Sequence, residues 1–165
     1  MIKMNYKKFL TSSLIVLAIF FIDRISKIYV LNLAQQNDIL NMYITSYFNL
    51  YLIWNKGIAF GLFSFDTDYI YNLITIIIII VIIIIIAMII NANSFKKYLL
   101  LGILGGSLGN VFDRIYYSAV PDFIDFHINE FHWFVFNIAD IFITLGVIGL
   151  IFDEIIYSIK KNEKN

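Results

Sequence analysis

The stretch YIYNLITIIIIIVIIIIIAMII, Tyr69 to Ile90, decides how the rest of the chain is read. It holds no charged residue, and only Val81 interrupts its tract Ile76–Ile86. A helix crossing the hydrocarbon core of a bilayer needs about 20 predominantly apolar residues, and this stretch has that length. Nothing in the isoleucine tract can do chemistry, so its expected role is anchoring. The whole composition agrees: 61% of the 165 residues are hydrophobic and 15% are charged. Soluble domains run at about 45–50% apolar and about 25% charged.

Outward from that stretch, three more segments qualify as spans: about Phe9–Leu33, Tyr98–Tyr117 and Val135–Ile156. The expected fold is a single membrane domain over 1–165, an all-α bundle of four transmembrane helices with outer loops at 34–68 and 118–134. Lys3, Lys7 and Lys8 before the apolar run Phe9–Ile22 imitate a secretory signal. A signal peptide would end in a small-residue cleavage site, whereas this run continues into Asp23, Arg24, Ser26 and Lys27. The segment is therefore expected to be retained. The chain has no cysteine, which excludes disulfides, thiol catalysis and thiolate metal sites. A net charge of zero gives no reason to expect a nucleic-acid partner.

Lysine and arginine stay on the cytoplasmic side of a membrane. Lys3, Lys7 and Lys8 precede the first span, Lys96 and Lys97 lie between the second and third, and Lys160, Lys161 and Lys164 follow the fourth. The other two loops carry only Lys56 but hold Asp38, Asp66, Asp68, Asp122, Asp125 and Glu130. Both termini are thus expected in the cytoplasm, with the two long loops facing outward. The first of these, from Ile39 to Ile53, is rich in Tyr, Ile, Phe, Leu and Thr with partial alternation, and ends in WNKGIAFG. That pattern reads as strands with a glycine turn. Tyr43, Tyr47, Tyr51 and Trp54 would suit the membrane interface.

Charged residues inside spans are costly and mark functional sites by default. At 1.5 Å per residue, Asp23 lies about 22 Å along its span from Lys8, Asp113 about 24 Å from Lys97, and Asp140 about 30 Å from Lys160. All three fall toward the outer side, with Asn110, Arg114 and Asn137 at nearby levels, so one polar site near the outer leaflet is expected. Asp23 and Lys27 are four residues apart, as are Asn110 and Arg114, and such pairs share a helix face. Charge neutralisation within the bundle accounts for at least part of Asp23, Lys27 and Asp113, with Asp113/Arg114 as a further candidate pair. Gly102/Gly106 and Gly105/Gly109 have the small-xxx-small spacing that lets membrane helices approach closely, which makes the third span the expected packing centre.

Asp122, in VPDFIDF, and Asp140, ending FNIAD, have no basic neighbour in sequence. Two close carboxylates do not both ionise easily: one stays protonated as an acid while the other serves as a base. Such a pair can deprotonate a water and protonate a leaving amine.

At these residues the chain resembles the lipoprotein signal peptidase (signal peptidase II) family over nearly its whole length. DRISK at Asp23–Lys27, NKGIAFG at Asn55–Gly61, GGSLGNVFDR at Gly105–Arg114, VPDF at Val120–Phe123 and FNIAD at Phe136–Asp140 match the family's motifs in order. The resemblance implies an intramembrane aspartic endopeptidase. Its substrates would be diacylglyceryl-modified prolipoproteins, cut on the amino side of the lipidated cysteine. It makes Asp122 and Asp140 the catalytic pair and Asp113 a supporting residue. Asn55, Gly57, Asn110, Arg114 and Asn137 would line the substrate site, with Asp23, Lys27 and Ala139 also within supporting motifs. It further implies a small extracytoplasmic sheet cradling the substrate and no metal or organic cofactor. The expected partners are prolipoprotein and membrane lipid, with the enzyme acting as a monomer in the bacterial plasma membrane. Arg24, Ile141 and the bulky His132, Trp133 and Phe134 depart from the family pattern and would bear on pocket shape.

Other classes fit less well. A metalloprotease helix would carry H-E-x-x-H, and His127 and His132, the only histidines, lack that spacing. Ser107 has no histidine within the spans to activate it, and the G-x-G-D of presenilin-type proteases is absent. A small transporter or channel would continue its charges to the cytoplasmic side, yet the inner halves of the spans are almost wholly apolar.

Overall fold

The computed structural model describes residues 6–36, 41–57, 68–92, 94–129 and 131–162. Lys3, Asp38, Asp66, Glu130, Lys164 and the Ile58–Gly61 half of the NKGIAFG motif lie outside the described residues. The elements are α1 (Tyr6–Gln36), β1 (Asn41–Thr45), β2 (Phe48–Asn55), α2 (Asp68–Asn91), α3 (Ser94–Tyr117), β3 (Val120–Ile128), β4 (Phe131–Phe136) and α4 (Ile138–Asn162). Four helices and one small antiparallel sheet, ordered β1-β2-β3-β4, make up the described fold.

By length and composition α2 alone, over Tyr69–Asn91, is apolar enough to cross a membrane among the described helices. The other three carry the polar residues of the site, including Asp23, Arg24 and Lys27 on α1, Asp113 and Arg114 on α3, and Asp140 on α4. Those charges face inward. Asp23, Lys27 and Asp113 are fully buried, while Ile22, Ile25 and Ile28 beside them on α1 are half or more exposed. Polar inside and apolar outside is the reverse of a soluble helical protein.

Helix α3 is the packing centre, and its two glycine pairs serve different neighbours. Gly105 and Gly109 meet Ile19 and Asp23 of α1, whereas Gly102 and Gly106 meet the backbone of α4 at Phe142 and Ala139. A Cβ on Gly106 would lie 2.5 Å from the Ala139 carbonyl oxygen, and one on Gly109 would lie 2.5 Å from Asp23 Oδ2. Neither position admits a side chain without moving the elements that carry the site. On the opposite flank, Ile82 and Ile85 of α2 pack with Leu100, Ile103, Leu104 and Val111 of α3. A smaller cluster joins the sheet to α1 through Val30, Phe123 and Ile124.

The first outer segment forms the expected strands, but their turn lies at Ser46–Tyr47 and contains no glycine. Gly57 enters a different turn: its backbone N–H donates to Asn55 Oδ1 at 2.8 Å, an Asx turn that ends β2. The segment 118–134, read only as a loop, supplies β3 and most of β4. The helix of the expected fourth span, placed from about Val135, accordingly starts later. Val135 and Phe136 belong to β4, and the helix begins after Asn137. That boundary is local chemistry. Asn137 Oδ1 accepts from the Asp140 backbone N–H at 3.1 Å, and Asp140 Oδ2 accepts from the Asn137 N–H at 3.2 Å. This reciprocal arrangement is a capping box, written in the sequence as N-I-A-D.

Candidate active site

Asp122 reaches the site because α3 stops just before it. Ser118 takes a left-handed conformation (φ 56°) after the helix ends at Tyr117, a common helix exit, and the chain enters β3. Pro121 lacks an N–H, which a central strand tolerates only near its start. It pairs with Trp54 of β2, and pairing of β3 with β4 begins only at Ile124. Asp122 pairs in register with Ile53, and its side chain turns inward, with 2% of the residue exposed.

Both oxygens of Asp122 accept from neutral amides. Asn55 Nδ2 donates to Oδ2 at 2.9 Å, and Asn137 Nδ2 donates to Oδ1 at 2.7 Å. Asp140 is held likewise, by Asn110 Nδ2 on Oδ1 at 2.8 Å and by the Asn137 N–H on Oδ2. One glycine-rich helix, one strand and one helix cap thus bring Asn110, Asn55 and Asn137 around two carboxylates. Among the described residues, the hydrogen bonds to the two carboxylates come from Asn55, Asn110 and Asn137 and none from a lysine or arginine. Burial, and next the negative charge of Asp140, push the Asp122 carboxyl up to about 7, against the opposing hydrogen bonds from Asn55 and Asn137. Asp140 itself occupies the third position of α4, where a carboxylate meets the free N–H groups and the positive end of the helix dipole.

The cations lie one layer back. Lys27 Nζ, fully buried, donates to Asp23 Oδ2 at 2.8 Å, Asp113 Oδ2 at 2.7 Å and Asn110 Oδ1 at 2.9 Å. Arg24 completes the group at 2.5 Å from Asp113 Oδ1 and stacks over Phe112. Two acids and two bases cancel, which is the condition for keeping charges buried. The expected neutralisation of Asp23, Lys27 and Asp113 is therefore present, whereas Arg114 takes no part in it. Instead of pairing with Asp113 or Asn110, Arg114 donates to the Gly57 carbonyl and lies over the Tyr71 ring, 5.1 Å from its centroid. The cluster reaches the site by two routes: Asn110 connects Lys27 to Asp140, and Asp23 Oδ1 accepts from the Ala139 N–H at 3.0 Å, capping α4.

Every candidate residue named from the sequence lies in this one region, and several roles are new. Arg24, a departure from the family pattern, is the partner of Asp113. Asn137 contacts both carboxylates. Asp122 and Asp140 line a cavity of about 600 Å³ between α2, α3 and α4, whose polar end also holds Asn55, Asn110 and Arg114. Ile78, Ile85, Met88, Ile103 and Val147 line its long apolar part. A second cavity of about 540 Å³ runs along the sheet edge to Asp140, and Trp133, Phe134 and Ile141 line it.

The Signal peptidase (SPase) II family matches residues 15–156. The lipoprotein signal peptidase of Pelagibacter ubique (strain HTCC1062) is 53% identical over 164 residues, covering 99% of both chains. That of Anaplasma phagocytophilum (strain HZ) is 40% identical over 77% of this chain and 80% of its own. A solved bacterial membrane enzyme superposes with a TM-score of 0.73 at 27% identity, covering 94% of this chain and 93% of that one. A second matches with a TM-score of 0.70 at 30% identity, over 87% and 91%. With five sequence motifs converging on one carboxylate pair, the chain belongs to the lipoprotein signal peptidase (signal peptidase II) family of proteases.

Proposed function

We propose that Asp122 and Asp140 are the catalytic dyad of an aspartic endopeptidase that removes the signal peptide from diacylglyceryl-modified prolipoproteins. The observation that carries this reading is the pair itself: two buried carboxylates, held by neutral amides and heading a largely apolar cavity. A dyad of this kind shares one proton. The ionised member takes a proton from water as the oxygen attacks the scissile carbonyl. The protonated member hydrogen-bonds the carbonyl oxygen and then protonates the leaving amine of the lipidated cysteine. With its carboxyl pushed up to about 7, Asp122 keeps the proton on the pair up to that pH and gives it up above. Arg114 and Asn55 flank the polar end of the cavity and orient the substrate backbone. The apolar walls take the signal helix and acyl chains. No metal or organic cofactor enters this chemistry.

All four helices span the plasma membrane in this reading. The buried charges and exposed aliphatic faces of α1, α3 and α4 support it, since intramembrane charges turn toward the bundle interior. Lys7 and Lys8 at the start of α1, Lys96 and Lys97 at the start of α3, and Lys160 and Lys161 at the end of α4 support cytoplasmic termini, with the sheet on the outer side. One chain supplies both carboxylates and their amide donors, so a single copy is expected to suffice for cleavage. The test is cleavage of a diacylated prolipoprotein peptide by the purified protein, with and without Asp140→Asn. Turnover by the unmodified protein and none by the variant is expected. Equal cleavage of lipidated and unlipidated peptide refutes the substrate assignment.

A further inference from the structure

The two histidines, which share no helical metal motif, meet across the sheet. His127 of β3 and His132 of β4 are directly paired in register, and their rings stack at 4.9 Å between centroids. Asp125 is two residues before His127, with a register shift between them. Such a bulge re-aims a side chain. As a result His132 Nδ1 lies 2.9 Å and His127 Nδ1 3.9 Å from Asp125 Oδ2. One ligand atom from each of the three lies within 4.8 Å of the others.

His132 and Asp125 satisfy each other as a hydrogen-bonded pair, but His127 does not fit that simpler account. Its side chain is 9% exposed, and its Nδ1 is buried without a hydrogen-bond partner among the described residues. Its backbone is held as well, since its N–H donates to the Tyr47 carbonyl at 3.1 Å. A buried, unpartnered imidazole nitrogen beside a carboxylate and a second imidazole is a donor lacking its acceptor or a ligand lacking its ion. We propose that Asp125, His127 and His132 bind a divalent transition-metal ion of the zinc class, tying β3 to β4.

Chemistry and size both suit such an ion. Imidazole with carboxylate favours zinc, copper or nickel over magnesium and calcium, which prefer all-oxygen shells. With bonds of about 2.0–2.2 Å, neighbouring ligands of a tetrahedral ion stand roughly 3.3–3.6 Å apart, between the 2.9 and 3.9 Å found at Asp125 Oδ2. Binding needs the stacked rings to tilt apart until both planes contain the ion. Water takes the fourth position. The ion would stiffen the strands that lead to Asp122 at one end and to Asn137 at the other.

The experiment uses the full chain, purified without a polyhistidine tag, stripped with chelator and titrated with zinc chloride and cobalt chloride. One saturable equivalent of zinc is expected, with a visible absorption band on cobalt binding and a raised melting temperature. Millimolar magnesium or calcium should not compete. His127→Ala and His132→Ala should each weaken zinc binding by more than the ~10–100-fold typical of losing an outer-shell partner. Absence of saturable binding by the wild-type protein overturns the proposal, whatever the variants do. So does undiminished binding in a His127→Ala/His132→Ala protein.

Discussion

Asn137 and Asp140 hold each other by two reciprocal hydrogen bonds, from the Asp140 N–H to Asn137 Oδ1 and from the Asn137 N–H to Asp140 Oδ2. The cap leaves the Asn137 amide nitrogen free to donate to Asp122. One helix start thereby positions both carboxylates. Asn137→Ala strips Asp122 of one donor and the cap of its acceptor. A loss of stability of about 1–3 kcal/mol is expected, with turnover falling by roughly 10²-fold or more because the dyad loses its spacing. Thermal unfolding and single-turnover cleavage of one preparation separate the two effects. An Asn137→Ala enzyme with unchanged turnover would show that the dyad is spaced by something else.

Asp122→Asn and Asp140→Asn should each reduce turnover by at least the ~10²–10⁴-fold typical of losing an acid or base. Each keeps side-chain size, so membrane insertion and retention of an uncleavable lipidated analogue should survive. A well-folded Asp122→Asn protein cleaving at near wild-type rate removes Asp122 from the mechanism.

The pH profile follows from Asp122. Its carboxyl, pushed up to about 7 by burial and then by Asp140, is protonated below that pH and ionised above it. A catalytic dyad of the proposed kind needs one proton on the pair, so activity should fall as pH rises through about 7. A second proton should extinguish it on the acid side, giving a bell. Stability has the same sign. Between the unfolded value of 3.8 and the folded value of about 7, the native state binds more protons than the unfolded chain. Stability is therefore lost as pH rises across that window. A rate that climbs steadily from pH 6 to 9 would contradict the shared proton.

Lys27, bonded to Asp23, Asn110 and Asp113 and not to either dyad carboxylate, is expected to act on stability rather than chemistry. Lys27→Met leaves Asp23 and Asp113 with Arg24 as their remaining cation, and removing one partner of a buried ionic group costs about 3–5 kcal/mol. Low yield and a depressed melting temperature are expected. Asp113→Asn should likewise lower stability without a selective loss of catalysis. An Asp113→Asn protein that is stable, binds the analogue and is dead would place Asp113 in the dyad.

Topology is checked by labelling. Cysteines at Asn5 and Asn162 should be shielded from an impermeant thiol reagent in intact cells, whereas one at Asp66 should react. Reaction at Asn5 without permeabilisation contradicts cytoplasmic termini.

Much of this protein is legible in its linear order. Hydropathy marks α2, because a run of 22 residues without a charge is long and apolar enough to cross a membrane. The levels of Asp23, Asp113 and Asp140 along their helices follow from helical rise, and the glycine spacing on α3 follows from the need for close helix contact. The N-I-A-D cap is local and readable too, although the apolar residues before it made Val135 and Phe136 look like helix. Partners across the fold are another matter. Arg24 is adjacent to Asp23 in sequence, yet its close ion pair is with Asp113, 89 residues on. Arg114 is adjacent to Asp113 but bonds Gly57. Helix rotation and the route of the intervening chain decide such pairs, and no local spacing encodes them. The meeting of Asp125, His127 and His132 depends likewise on a bulge and on antiparallel register. The chain order determined which residue types stand at which level along each helix; the packing of α1 and α4 on the glycines of α3 decided which of them touch, because a buried charge takes whatever partner the backbone brings within hydrogen-bond reach.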